Sequence, residues 1–369
     1  MTETLAVQHD GPVRFAVVGC GVIGRVHARS IRRTPGAELT AAVDYVESAA
    51  KEVADEYGGT PASSIEEVLG RDDVDAIAIC TPSGDHAAQA VQALRAGKHV
   101  VVEKPVDVTA EAAEALTAAV TESGRAATVI SQHRFDPSSI AVQEAAHAGR
   151  FGRLTSGVAS IAWWRSESYY QSGDWRGTWA LDGGGALMNQ GIHTVDLLVW
   201  MLGRPVEVSA YAGCLAHETI EVEDTAVAVV TFENGALGVI HGTTAAYPGL
   251  SARVQVHGSR GSAIIDDDQL VYFHAAPDRD DATAPAYGAG LASNQAAAVL
   301  GGSSSTEGGA GADPSALSDA HDLQYADFVE AVRTGREPKV TVASATTTLR
   351  VILAVYQSAA EGRPVRVRV

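Results

Sequence analysis

The chain has 369 residues, of which 46% are hydrophobic and 20% charged. That is the composition of a folded globular protein, at a length that suits two domains of roughly 100–200 residues each. A formal net charge of −18 argues against nucleic acid and anionic membranes as partners, since both attract basic surfaces, and no apolar run reaches the roughly 18 residues of a membrane span. In chain order, VRFAVVG (13–19) reads as a buried strand and a helical pattern follows from Val22 to Arg32. ELTAAVD reads as a second strand, followed by a helix that ends at the glycines after Tyr57. Ser64 and Glu67 have the spacing of a capping box before a short helix. VDAIAICTP, KHVVVEKP and AATVISQ are three more strands, separated by the Ala-rich helices DHAAQAVQALRAG and TAEAAEALTAAVTESG. Continuous apolar strands alternating with helices imply a doubly wound parallel sheet covered on both faces.

Beyond this first domain the pattern changes. LTSGVASIAWW and EVSAYAGCLA read as strands, and EDTAVAVVTFENGALGVIHGTT carries alternating residues around Asn234-Gly235, a strong hairpin signal. ARVQVHGSRGSAIIDDDQLVYF repeats the theme, so an antiparallel sheet of about six strands is expected. Residues 275–316 are rich in Ala, Gly and Ser and read as a flexible loop or lid. Two helices, 319–333 and 343–361, close the chain. The expected division is 1–134 for the first domain and 135–369 for the second. The N-terminal MTETLAVQHDGP lacks the basic and apolar regions of a secretory signal, and Cys20, Cys80 and Cys214 share no metal-ligand spacing and no even disulfide count. A reduced, cytoplasmic protein with no metal is expected.

Three stretches carry chemistry. Gly19-Cys20-Gly21-Val22-Ile23-Gly24 fits G-x-G-x-x-G at a strand-to-helix turn, where glycine lets backbone approach a pyrophosphate at the helix N-terminus. Asp44 ends the second strand where a carboxylate would accept from the adenosine ribose hydroxyls, and Tyr45, Val46 and Glu47 offer no cation for a 2′-phosphate, so NAD is favoured over NADP. In GGGALMNQGIHTVDLLVW (183–200), Asn189, His193 and Asp196 fall on one side of a helix whose other side is the apolar stripe Met188, Ile192, Val195, Val199 and Leu202. WWRSESYYQSGDWRGTW (163–179) holds four of the five tryptophans, with rings to stack on sugars and Arg165 and Arg176 to donate hydrogen bonds.

Glu103-Lys104-Pro105 after a strand, together with the fingerprint and the glycine-led helix bearing His193, resembles the Gfo/Idh/MocA family of sugar and cyclitol oxidoreductases. The resemblance implies an N-terminal Rossmann domain followed by an α+β domain with an open-faced sheet, often an interface of homodimers or homotetramers. It implies hydride transfer between NAD and a secondary hydroxyl of a carbohydrate or cyclitol, with Lys104 and His193 catalytic. Carried over by position, cofactor contacts fall on Gly19, Gly21, Val22, Ile23, Gly24, Asp44, Thr81, Pro82, His86, Glu103, Lys104, Trp175 and Arg176. Substrate contacts fall on Lys104, Trp163, Arg165, Tyr169, Tyr170, Asn189 and His193. The family's Asp is Asn189 here, which orients a hydroxyl but takes no proton. Two other activities fit the resemblance: an NAD-dependent glycosidase working by transient internal oxidation, and a silent NAD-binding sensor.

Overall fold

The computed structural model describes residues 11–276, 293–301 and 319–368. The chain opens with β1 (Val13–Val18), α1 (Val22–Arg33), β2 (Ala37–Val43), α2 (Glu47–Tyr57), β3 (Thr60–Ala62), α3 (Glu66–Leu69), β4 (Ala76–Ile79), α4 (His86–Arg95), β5 (His99–Val102), α5 (Ala110–Ser123) and β6 (Ala127–Val129). The six strands form one parallel sheet in the order β3-β2-β1-β4-β5-β6. The sheet lies between helices, so its central strands are apolar on both faces: every residue of β4 is buried. The expected Ser64–Glu67 capping box does not form: α3 has no side-chain cap, and the Glu67 carboxylate instead accepts from the hydroxyl and N–H of Ser63.

Then come α6 (Pro137–His147), β7 (Leu154–Ala162), α7 (Glu167–Tyr170), α8 (Ile192–Leu202), β8 (Pro205–Gly213), β9 (Thr225–Phe232), β10 (Leu237–Thr243), β11 (Ala252–Gly258), β12 (Gly261–Asp266), β13 (Gln269–Ala275), α9 (Ala296–Val299), α10 (Asp319–Thr334), α11 (Val342–Glu361) and β14 (Val365–Arg366). The second sheet has eight strands in the order β13-β12-β11-β7-β10-β9-β8-β14. It is mixed rather than purely antiparallel, because β10 joins β7 in parallel across a long crossover. One face carries α8, which lies close because Gly157 and Gly238 leave room for it: a Cβ on Gly157 would stand 2.8 Å from Leu198 Cδ1. The expected loop at 275–316 falls largely outside the described residues. Within it, α9 is seated on β13, with the Gln295 N–H donating to the Phe273 carbonyl at 2.7 Å.

The described residues divide into two compact units: 11–132, 173–184 and 319–349 in the first, and 133–172, 185–276, 293–301 and 350–368 in the second. The expected division at residue 134 is contiguous; the first unit is not. It reclaims α10, whose Tyr325, Phe328, Val329 and Val332 join the core around Phe15 and Val17. Tyr325 meets Phe15 edge-on at 5.5 Å between ring centres. Burying such rings stabilises by roughly 1.5–3 kcal/mol each, so an apolar face on α10 outweighs its distance along the chain.

Candidate active site

In the first unit the glycine loop is built by backbone contact. Gly19 takes φ +93° and donates to the Val43 carbonyl at 2.8 Å, and a Cβ on it would stand 2.5 Å from the Cys80 carbonyl oxygen. A Cβ on Gly24 would collide with the Gly19 carbonyl oxygen. Gly21 is different: a Cβ there would meet nothing within 4 Å. It sits at the head of α1, whose first turn has neither a side-chain cap nor an acidic residue. Ile23 packs against the core, whereas Val22 is 63% exposed beside this open space. The uncapped N–H groups and positive helix end suit a pyrophosphate. The Asp44 carboxylate accepts from the N–H groups of Cys20 and Val46, each at 2.8 Å, so it fixes the loop from the end of β2.

Lys104 follows β5, half-buried, at the C-terminal edge where open α/β sheets bind ligands. Its neighbours turn inward. Glu103 is 4% exposed, with Oε1 at 2.8 Å from His27 Nε2 and Oε2 accepting the Lys104 N–H at 2.9 Å. Burial opposes its ionisation, but the hydrogen bond from His27, the His321 ring 3.9 Å away and the charge of Lys104 prevail, holding its carboxyl well below the usual range. Glu103, expected at the cofactor, is instead an interior anchor for the lysine turn. His86 is likewise interior. Its Nδ1 lies 2.7 Å from the Pro105 carbonyl and its Nε2 2.8 Å from the Thr81 carbonyl, so it ties the lysine turn to the half-buried Thr81-Pro82 segment after β4. Residues 173–184 lie on that same turn, the Gly84 N–H donating to Leu181 at 3.1 Å. There the Arg176 guanidinium stacks on Trp175 at 4.5 Å.

In the second unit the helix bearing His193 has an irregular start: residues Ala186–Gly191 form a π-helical turn before α8. The buried Glu223 carboxylate receives the first free N–H groups, from Gly185 at 2.9 Å and Leu187 at 2.8 Å. A Cβ on Gly185 would collide with the Glu223 carbonyl oxygen, and one on Gly183 would stand 2.5 Å from Val108. Gly183 and Gly185 therefore fit protein against protein, where the sequence suggested fit around ligands. The π turn also breaks the regular spacing on which Asn189, His193 and Asp196 were placed on one face. Asn189 and His193 are half-buried, but Asp196 is buried and bound by the Arg134 guanidinium at 2.7 and 2.6 Å.

Around Asn189 lies a polar network that the sequence did not reveal. Gln190 Oε1 accepts from Arg165 at 2.9 Å, and its Nε2 donates to the Tyr169 hydroxyl at 2.7 Å and to Asn189 Oδ1 at 3.3 Å. The Arg165 guanidinium also lies over the rings of Trp163 and Tyr169, at 5.2 and 5.4 Å. The buried Trp163 indole N–H has no hydrogen-bond partner among the described residues, an orphan donor that a ligand oxygen would satisfy. Tyr170 meets the Tyr169 ring edge-on at 5.2 Å between centres. It is 5% exposed and its hydroxyl pairs with Thr244 at 2.8 Å, so it belongs to the scaffold. His217 supports Arg165 from behind: Nε2 lies 2.9 Å from the Arg165 carbonyl and Nδ1 3.0 Å from Asp224. Three further N–H groups reach Asp224, and although burial resists its charge they hold its carboxyl at about 2. The aromatic stretch 163–179 is thus shared between units, Trp163 to Ser172 in the second and Trp175 and Arg176 in the first.

Comparison with known proteins shows the family of the chain. Residues 13–131 match the oxidoreductase family with an NAD-binding Rossmann fold, and residues 140–264 match the GFO/IDH/MocA C-terminal domain. Inositol 2-dehydrogenase of Rhizobium meliloti is 30% identical over 273 residues, covering 72% of this chain and 78% of that protein. The scyllo-inositol 2-dehydrogenase (NAD(+)) of Bacillus subtilis is 27% identical over 368 residues, 97% of each. The WlbA dehydrogenase from Bordetella pertussis, solved in complex with NADH and UDP-GlcNAcA, superposes with a TM-score of 0.83 at 29% identity, covering 98% of this chain and 99% of that one. The chain belongs to the GFO/IDH/MocA family of oxidoreductases, and its first unit is the family's NAD-binding domain.

Proposed function

We propose that the protein oxidises a secondary hydroxyl of a cyclitol or sugar with NAD, and that Lys104 and His193 manage the hydroxyl proton. The carrying observation is Lys104: half-buried at the C-terminal end of β5, two strands along from the glycine loop after β1, on a turn anchored by Glu103 and His86. Bound NAD supplies the hydride acceptor. As the carbinol C–H leaves as hydride, the O–H proton passes to whichever of Lys104 and His193 is neutral, and the other donates a hydrogen bond to the oxygen as the C=O forms. Asn189 and Arg165 donate to neighbouring hydroxyls, and Trp163 offers its indole N–H and a ring face. Such a cluster of donors suits the hydroxyl oxygens of a polyol. The names of the inositol dehydrogenases support the cyclitol reading, and UDP-GlcNAcA in the WlbA complex supports a sugar acid that Arg165 would receive.

Among the described residues, the second sheet exposes Tyr211 at 83%, Leu237 at 51%, and Val227 and Val229 at 47% each, on paired strands β8, β9 and β10. A contiguous apolar face of this kind supports a homodimer or homotetramer joined through the sheet, to be tested by light scattering with Val229→Glu. Three free cysteines support a reducing, cytoplasmic setting; among the described residues no helix is long and apolar enough to cross a membrane. The activity itself is tested by NADH absorbance against inositols, hexoses, sugar acids and nucleotide sugars. Turnover with one class supports the reading, and turnover that survives Lys104→Ala removes the proposed role of that lysine.

A further inference from the structure

The 3₁₀ turn Gln132–Phe135 puts two side chains against the polar side of α8. Arg134 grips Asp196, and one residue earlier the His133 ring meets the His193 ring at 5.3 Å between centres, with planes 75° apart. His133 is buried and pinned by two carboxylates through one nitrogen: Nδ1 lies 2.8 Å from Asp136 Oδ2 and 3.2 Å from Asp268 Oδ1. Both carboxylates are arranged for it. Asp136 occupies the N-cap of α6, where an aspartate ordinarily accepts from the helix N–H groups, yet it makes no capping bond. Asp268 is delivered by the β12–β13 turn, in which Asp267 and Asp268 adopt φ of +44° and +64°, and Ser138 donates to the Asp268 carbonyl at 2.7 Å.

We propose that His133 is a positioning residue for His193: a cation clamped by Asp136 and Asp268, it fixes the angle of the His193 ring and holds that ring neutral, able to accept the substrate's proton. This rests on the assignment of His193 to proton transfer above. The charged groups around the pair are Asp136 at the head of α6, Asp267 and Asp268 in the β12–β13 turn, Arg134 beside His133, and Asp196 on α8. Arg134 and Asp196 neutralise each other. The two carboxylates at Nδ1 are engaged by His133, whose ring stands edge-on against the His193 ring at 5.3 Å between centres. Like charges at this range disfavour a second cation. Burial works against a charged His133, but Asp268 and Asp136 outweigh it and raise the ring to about 9.

The test is histidine-ring NMR on the full-length protein across pH 5 to 10, with His133→Gln and His193→Asn for assignment. At pH 7 the His133 ring should be doubly protonated and the His193 ring singly so. In His133→Gln the His193 titration and the acid limb of kcat/KM should both move up by about one pH unit, a roughly tenfold loss of rate on that limb. A neutral His133, a doubly protonated His193 at pH 7, or an unmoved His193 titration in His133→Gln overturns the proposal. So does a metal ion found by elemental analysis on the His133, Asp136 and Asp268 donors, which lie within 4.8 Å of one another. The wild-type titration needs no variant to fold. If His193→Ala instead keeps full turnover, the proton-transfer role of His193 falls, whatever the rings report.

Discussion

Each unit contains a histidine bonded to carboxylate near a residue proposed to act on substrate, and the two arrangements differ in what they do. In the first unit His27, Glu103, His321 and Tyr325 are all buried, with the His27 Nδ1 at 2.6 Å from the Tyr325 hydroxyl and its Nε2 on Glu103. The cluster joins α1, β5 and α10, and its output is backbone: Glu103 holds the N–H of Lys104. In the second unit His133 shares two carboxylates and meets His193 ring to ring. Its output is charge. The first is depleted by acid, because Glu103 ionises well below the ordinary range; the second is depleted by alkali, because His133 is raised to about 9. One histidine–carboxylate motif thus braces a main chain in one place and tunes a side chain in another, according to whether its neighbour offers an amide or a second imidazole.

The contrast can be broken from either side. Lys104→Ala should lower kcat/KM by about 10²–10⁴, the usual worth of a general acid–base group, while calorimetry still finds NAD bound at the glycine loop. Glu103→Ala removes one member of a buried pair and should cost roughly 3–5 kcal/mol of stability, visible as a large drop in Tm together with reduced kcat, whereas Asp136→Asn should move the pH profile more than the Tm. The alkaline side is sharper. His133 has a folded pKa raised from 6.5 to about 9, so its stabilisation is full below pH 6.5 and disappears as pH rises through about 9. That is a change of at most about 3 kcal/mol, to be read as urea midpoints at pH 6.5 and 9.5 and flattened in His133→Gln. The smallest effect is Gln190→Ala, which loosens Arg165, Tyr169 and Asn189 together. It should raise KM about fivefold, near 1 kcal/mol, with kcat little changed.

How far the sequence revealed this depends on whether a feature is local. The β-branched runs, the glycine spacing and Asp44 are readable because each answers to contacts within one strand–turn–helix unit. Asn234-Gly235 marked the β9–β10 connection for the same reason: Gly235 takes φ +85° there. The return of α10 to the first core, the mixed pairing of β7 with β10, and the π turn ahead of α8 depend on partners far along the chain. So do the roles of single residues. Glu103 and His86 sit in a motif that pointed to cofactor, yet their side chains turn inward to His27 and Pro105. Gln190 and Glu223 are polar residues of common type whose importance comes from Arg165 and from the helix start they satisfy. His133 and Asp268 lie 135 positions apart in the sequence. Their only local sign was the run of aspartates at 266–268, which reads equally well as a solvated turn.

Hydride transfer between NAD and a secondary hydroxyl, with Lys104 handling the proton, is open to one decisive assay. The most direct test incubates the purified protein and its Lys104→Ala variant with NAD and a panel of inositols, sugars, sugar acids, nucleotide sugars and glycosides, following NADH absorbance and assaying the same samples for released aglycone. Net NADH is expected with a cyclitol or sugar, and none in Lys104→Ala. Cleavage of a glycoside without net NADH would contradict it, assigning the same fold to an internal redox cycle that returns its hydride.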